Sequence, residues 1–151
     1  VIKSVSLAVA TVFGIGYVPV APGTFGSMVG LAVWAALPAS VVSQGGAIAA
    51  LLVLGFMTGG VAERHFRRAD PRQVVLDEVM GMLVTLFLVP VTAAGAILGF
   101  LLFRLADVIK PYPANRLERL PGGIGVMADD FMAAVYAHLA LRAVIWGLQR
   151  L

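Results

Sequence analysis

The chain has 151 residues, 60% of them hydrophobic and only 13% charged, with a mean hydropathy of +0.96. That balance excludes an ordinary soluble domain and points to an integral membrane protein, with room for a single domain over residues 1–151 built from a handful of helices. The absence of cysteine excludes disulfides, thiolate nucleophiles and Cys-ligated metals; the net charge of +3, gathered in short loops, reads as topology and anionic-lipid contact and not as nucleic-acid binding.

The opening segment carries one Lys and no small-residue cleavage pattern, so no removed leader is expected. Residues 4–62 then carry no formal charge, which only lipid or a deep core permits. Within them, residues 14–27 are broken by six glycines and prolines and read as a re-entrant or interfacial loop. Thr24 reads as the N-cap of a first helix over 24–37, stopped by Pro38, with the amides of 23–27 free at its N-terminus. An anion is welcome there; an ordinary capped turn is the plainer alternative. A second helix is expected over 46–64.

The run ERHFRRADPR at 63–72 is the densest in charge and reads as a solvated loop on the cytoplasmic side, with His65 a loop residue rather than a base. Asp77 and Glu78 follow, heading an uncharged stretch over 79–103. As one spanning helix, that stretch would part Asp77 and Glu78 from Asp107 and Lys110. If Pro90 instead turns the chain between helices at 78–89 and 92–109, every Asp and Glu falls on one face, with Arg142 and Arg150 left near the other. The hairpin is the expected form because it makes the charge map obey the positive-inside rule. A 12-residue helix such as 78–89 is about 18 Å long and too short to cross about 30 Å of hydrocarbon, so the fold class is an all-α polytopic membrane helical bundle with short and re-entrant helices. Glycine pairs at 26/30, 55/59 and 95/99 permit close helix contacts.

Residues 103–130, FRLADVIKPYPANRLERLPGGIGVMADD, hold the remaining acidic residues and organise the chain. Arg104, Asp107 and Lys110 fall at i, i+3, i+6 on one stripe of a helix end, which Pro111 and Pro113 stop. The glycines at 122, 123 and 125 read as a turn delivering Asp129 and Asp130 to the mouth of a last helix over 130–146. Such a grouping suits a metal and a phosphate. A transporter would need polar groups at several depths, and here they collect at one.

Four ordered motifs carry a resemblance. They are Gly14-x-Gly16-x-x-Pro19-x-Ala21-Pro22-Gly23-Thr24-x-Gly26-Ser27; Asp77-Glu78-x-x-Gly81; Phe103-Arg104-x-x-Asp107-x-x-Lys110-Pro111-x-Pro113; and Gly122-Gly123-x-Gly125-x-Met127-x-Asp129-Asp130. With these the chain resembles the phosphatidylglycerophosphatase A family of bacterial membrane phosphatases along nearly its whole length. One departure is Ala134, where similar sequences carry Gly; the extra methyl tightens helix packing and touches no polar chemistry. The resemblance implies an all-helical enzyme of the bacterial cytoplasmic (inner) membrane, its site on the cytoplasmic face. It implies Mg2+-dependent removal of the terminal phosphate from the membrane phospholipid phosphatidylglycerophosphate.

The residue chemistry is consistent with that. Asp77, Glu78, Asp107, Asp129 and Asp130 are the expected catalytic and metal-binding carboxylates, since hard oxygens select Mg2+. Arg104 and Lys110 are expected to clamp phosphate oxygens, and Thr24 with Ser27 to cradle the second, diester phosphate. Attack by water with a carboxylate as base is preferred, and attack by an Asp to form an aspartyl-phosphate stays open.

Overall fold

The computed structural model describes residues 1–150, and among them every regular element is helical. Helix α1 (Ile2–Ala10) leads through a tight turn at Ile15–Tyr17 into α2 (Pro22–Ala36). A wide π-type turn at Val41–Gly45 then runs straight into α3 (Gly46–Phe66). Helices α4 (Leu76–Thr85) and α5 (Ala93–Ile109) form the hairpin about Pro90, and the single turn α6 (Ala114–Leu117) precedes α7 (Gly123–Leu148).

The bundle is organised around α4, all ten residues of which are buried. Ten residues span about 15 Å, half a bilayer core, so α4 is tolerable at membrane depth only because protein surrounds it. It packs against α2, α3, α5 and α7, and Met80, Met82, Leu86, Phe103, Ala133, Ala134 and Leu141 fill the space between them. The methyl of Ala134 is fully buried in this core.

Chain reversal after α4 frees backbone groups from the helix ladder, and side chains from other elements satisfy them. Trp34 Nε1 donates to the Leu86 carbonyl at 3.1 Å, and the Leu88 amide donates to Gln44 Oε1 at 2.8 Å. Arg142 Nη2 donates to the Leu88 carbonyl at 3.3 Å. Without these partners each group would cost about 1–3 kcal/mol. The hairpin expected from Pro90 is therefore present, and α5 is capped by the Thr92 hydroxyl, which accepts from the Gly95 amide.

The outer surface is apolar. Residues 41–66 and 123–148 form two continuous helical stretches of 26 residues, each containing 18 consecutive residues of mean hydropathy 1.9 and 1.5 respectively, long and apolar enough to cross a membrane. Val53, Leu54, Phe56 and Met57 of α3 and Ile97, Leu101, Leu105 and Val108 of α5 face outward. So continuous an apolar surface fits lipid and not water, and the chain is a membrane protein.

Close helix contacts follow the glycines in part. A Cβ on Gly30 would stand 2.7 Å from Met82 Cβ and 2.8 Å from the Val79 carbonyl, and one on Gly59 would stand 2.5 Å from Gly123 Cα. The pairs 26/30 and 55/59 thus set α2 on α4 and α3 on α7. Gly95 meets only Val91 and Thr92 of its own turn, so 95/99 is not a two-residue contact face.

Four boundaries differ from expectation, the first in the hairpin, where α4 spans Leu76–Thr85 and not 78–89. Residues 2–10, unassigned from the sequence, form α1, held where the Val75 amide bonds the Ala10 carbonyl at 3.0 Å and Ala10 packs with Ala62. Helix α2 begins at Pro22 and not at Thr24. Ala21 is its N-cap in the left-handed region (φ 48°), and Pro22 fills the first helical position, where a missing N–H loses nothing. Helix α7 begins at Gly123 and not at 130. Gly122 alone makes the turn (φ 67°), while Gly123 is already helical, its Cα face pressed on the Phe56 carbonyl where a Cβ would come within 2.7 Å.

Candidate active site

Four helix segments and the loop before α4 converge on one end of the bundle, around a pocket of about 340 Å³. Its wall comprises Ala21, Pro22 and Gly23 at the start of α2, Asp70 and Arg72 of the preceding loop, and Asp77 and Glu78 in the first turn of α4. Arg104 and Asp107 of α5, Lys110 just past it, and Asp130 of α7 complete it. The hairpin brings Asp77 and Glu78 to the same end as Arg104, Asp107 and Lys110. The longer α7 sets Asp129 and Asp130 in its second turn, about 10 Å along the helix rather than at its mouth. They reach the pocket sideways.

The charges sort into two sets. In the first, Arg104 pairs with Glu78 and, at 2.9 Å, with Asp107 Oδ2 one turn along its own helix. Ser27 Oγ lies 3.1 Å from Glu78 Oε2 and 2.9 Å from the Gly23 carbonyl. In the second, Lys110 Nζ meets Asp129 Oδ2 at 2.5 Å, Glu118 Oε2 at 2.9 Å and Asp70 Oδ2 at 3.5 Å. Lys110 is in the left-handed region (φ 46°) because Pro111 prevents the helix from continuing, and that bend aims its ammonium at α7. Tyr136 of α7 pins the same loop by donating to the Tyr112 carbonyl at 2.7 Å.

Burial governs the protonation of these groups. Desolvation, and then the charge of Asp107, push Glu78 up to about 7 against the opposing pull of Arg104 and Ser27. Desolvation and the adjacent Glu78 charge raise Asp77 well above the usual carboxylate range. Burial works against the Lys110 ammonium, but the hydrogen bond and charge of Asp129, with Glu118 and Asp70, outweigh it and hold its pKa above that of an ordinary lysine.

The donor set fits a hard cation. Carboxylate oxygens of Asp70, Glu118 and Asp129 lie within 4.8 Å of one another, near enough to share one cation, and the Lys110 ammonium stands among them, so a metal ion bound there would displace it. Asp129 Oδ1 and Asp130 Oδ2 are buried with no hydrogen-bond partner among the described residues. An ionised carboxylate oxygen is not left dry and unpaired without a large penalty, so both are free acceptors for a cation or a proton.

The expected site residues thus fall in different places. Asp77, Glu78, Asp107, Asp130, Arg104 and Lys110 line the pocket, and Asp129 adjoins it through Lys110. Ser27 is fully buried behind Glu78, oriented to hold that carboxylate rather than a ligand. Thr24 lies outside the pocket wall and caps nothing. Its amide donates to the Ala21 carbonyl at 3.0 Å, and the amides beyond it enter the helix ladder, so the expected cradle reduces to Gly23. Asp70, Arg72 and Glu118 were missed because they lie within basic runs that read as solvated loop. The one signal was that both carboxylates break runs of otherwise uniform sign, beside Arg68 and between Arg116 and Arg119.

The profile of the family described as Phosphatidylglycerophosphatase A matches residues 8–145, nearly the whole chain. The chain belongs to that family. Among curated relatives, the "Putative phosphatidylinositol-3-phosphatase" of Bacteroides thetaiotaomicron is 34% identical over 148 residues, covering 91% of this chain and 92% of that protein. Phosphatidylglycerophosphatase A of Haemophilus influenzae is 32% identical over 136 residues, covering 87% and 83%. The Escherichia coli protein of the same name is 32% identical over 132 residues, covering 82% and 73%. No solved structure matches the chain.

Proposed function

We propose that this membrane phosphatase hydrolyses the terminal phosphate monoester of phosphatidylglycerophosphate, giving phosphatidylglycerol and inorganic phosphate, and so belongs to glycerophospholipid synthesis. The observation that carries the reading is the pocket at the end of an apolar bundle, where Arg104 and Lys110 stand among carboxylates with unpartnered oxygens, in a chain of the phosphatidylglycerophosphatase A family. A lipid in the bilayer presents its headgroup at this level while its acyl chains lie along the outward apolar faces of α3 and α5.

The cation we assign is Mg2+, because every candidate donor is a carboxylate oxygen and the chain has no Cys. Asp129 and Asp130, with Asp70 and Glu118 beside them and Asp77 opposite, would hold it. When bound, such a cation neutralises phosphate charge and lowers the pKa of a water. The protein's own groups do the rest. Arg104, held in one orientation by Glu78 and Asp107, directs its free N–H groups at the phosphoryl oxygens, which gather charge in the transition state. Lys110 supplies a second positive charge. A pocket carboxylate takes a proton from the attacking water, the phosphorus–oxygen ester bond breaks, and the glycerol oxygen leaves with a proton.

We place this site, in one domain spanning the chain, on the cytoplasmic face of a bacterial inner membrane crossed several times. All eight Asp and Glu residues lie in segments at the pocket end, together with the basic run at 64–72, as the positive-inside rule favours. The test is phosphate release by purified protein from long-chain phosphatidylglycerophosphate, phosphatidylinositol 3-phosphate and water-soluble glycerol phosphate, with Mg2+ and with a chelator. The reading expects the first substrate to have the highest kcat/KM and the chelator to abolish turnover. Preference for the inositol lipid would move the assignment to the activity named for the Bacteroides relative, and equal kcat/KM for glycerol phosphate would replace it with a general phosphatase.

A further inference from the structure

The bundle end opposite the pocket carries a cavity of about 430 Å³ between the α4–α5 bend and the last turns of α7, lined by Val89, Pro90, Arg142, Ile145, Trp146 and Gln149. Arg142 is 12 residues beyond Asp130 on α7, about 18 Å along the helix, so this cavity and the carboxylate pocket are separate places at different depths.

The guanidinium here is exposed yet fixed in direction. Its Nε donates to His138 Nε2 at 3.0 Å, and Nη2 donates to the Leu88 carbonyl at 3.3 Å. His138 in turn places Nδ1 3.1 Å from the Thr85 carbonyl, so that nitrogen carries the ring proton and Nε2 is the acceptor Arg142 needs. A guanidinium has five N–H donors, and two are used on protein. The other three have no partner among the described residues and stand at the cavity. One turn on, Trp146 lines the same cavity, and Arg150 stacks on its ring with the guanidinium carbon 3.7 Å from the centroid.

The charge at this end has one sign. Beyond Asp130, α7 holds no carboxylate, and none occurs in the connections α2–α3 or α4–α5, so Arg142 and Arg150 meet no acidic side chain there among the described residues. A splinted guanidinium with spare donors, a stacked second cation, an indole and an apolar cleft form the surface that one phosphate diester and the upper part of its acyl chains complement. We propose that this cavity is a binding site for an anionic phospholipid of the leaflet opposite the carboxylate pocket. Arg142 takes the phosphate, and the lipid's chains lie in the cleft formed by Val89, Pro90 and Ile145.

The test uses the fact that the chain has only two tryptophans. In a W34F background Trp146 is the sole indole, and it reports locally on lipids with brominated chains. The protein is reconstituted in phosphatidylcholine bilayers into which brominated phosphatidylglycerol or brominated phosphatidylcholine is titrated. Quenching should show about fivefold tighter association of the anionic lipid, the scale of one basic side chain at an anionic surface. R142Q should abolish the preference, D130N at the distant pocket should keep it, and raising the salt should weaken it. Equal quenching by the two lipids overturns the proposal. So does a preference undiminished in R142Q, even if that variant melts earlier, because Arg142 would then serve only to hold the bend. Should R142Q fail to fold, the W34F protein still decides: a preference that does not respond to salt refutes a guanidinium–phosphate contact.

Discussion

Gly23 has no chemistry of its own, and its replacement by Ala tests the site geometry more sharply than removal of a charged group. A Cβ there would collide with Glu78 Oε1, stand 2.9 Å from Glu78 Cδ and 3.2 Å from Arg104 Nη1. Ordinary contact requires the carboxylate to retreat by about 1 Å or more, and Arg104 is tied to it. A shift of ~1 Å in a positioning group costs roughly 100-fold in rate, or about 2.7 kcal/mol of transition-state stabilisation. The helix itself gains from Gly to Ala, by up to about 1 kcal/mol, so stability should change little. The expected result is kcat lowered about 100-fold in mixed micelles at saturating lipid, with a nearly unchanged melting temperature. G30A is the control. Its methyl meets Met82 and Val79, away from the pocket, so overpacking should lower stability by about 1–3 kcal/mol while the folded enzyme keeps its kcat. A G23A enzyme within twofold of the unsubstituted kcat would refute the claim that the Glu78–Arg104 pair must sit where it does.

Asp129→Asn and Asp130→Asn should each lower kcat by orders of magnitude with helical content retained, and should weaken Mn2+ binding measured by electron paramagnetic resonance. Normal Mn2+ affinity would return their unpartnered oxygens to a protonated, structural state. Asp70→Asn and Glu118→Gln should raise the metal dissociation constant about tenfold if they share that ion; unchanged affinity would leave them as holders of Lys110 alone. Thr24→Ala should be close to unsubstituted in both kcat and KM, whereas Ser27→Ala should lower kcat by roughly tenfold through the loosened Glu78 carboxylate; the reverse order would restore Thr24 to the phosphate cradle. Single cysteines at the exposed positions Arg68 and Arg116 should label from the same side of oriented vesicles, and labelling from opposite sides would dismantle both the hairpin and the composite pocket.

Much of the architecture is legible without coordinates because lipid imposes strict rules. Residues 4–62 and 79–103 without a charge require apolar surroundings, and a proline at 90 with carboxylates at 77 and 78 makes a hairpin the arrangement that returns all the carboxylates to one end. Asp77, Glu78, Arg104, Asp107, Lys110 and Asp130 of the pocket wall were likewise readable, because charged side chains in such a chain are few and each needs a reason; Asp70 and Arg72 were not. Tertiary structure decided the pairings and the exact helix starts. Whether Gly123 turns or coils depends on the α3 carbonyls pressed against it, and that packing carries Asp129 and Asp130 from a helix mouth to its second turn. Thr24 lost its capping place because Pro22, preset at the first helical position, let the helix begin earlier. Asp70 and Glu118 joined the site only when the left-handed bend at Lys110 set an ammonium between them, a contact across 40 residues on one side and 8 on the other that no local pattern encodes. Hydropathy and charge along a chain determine which segments meet lipid. Which carboxylate faces which cation is settled by the packing of glycines and turns between them.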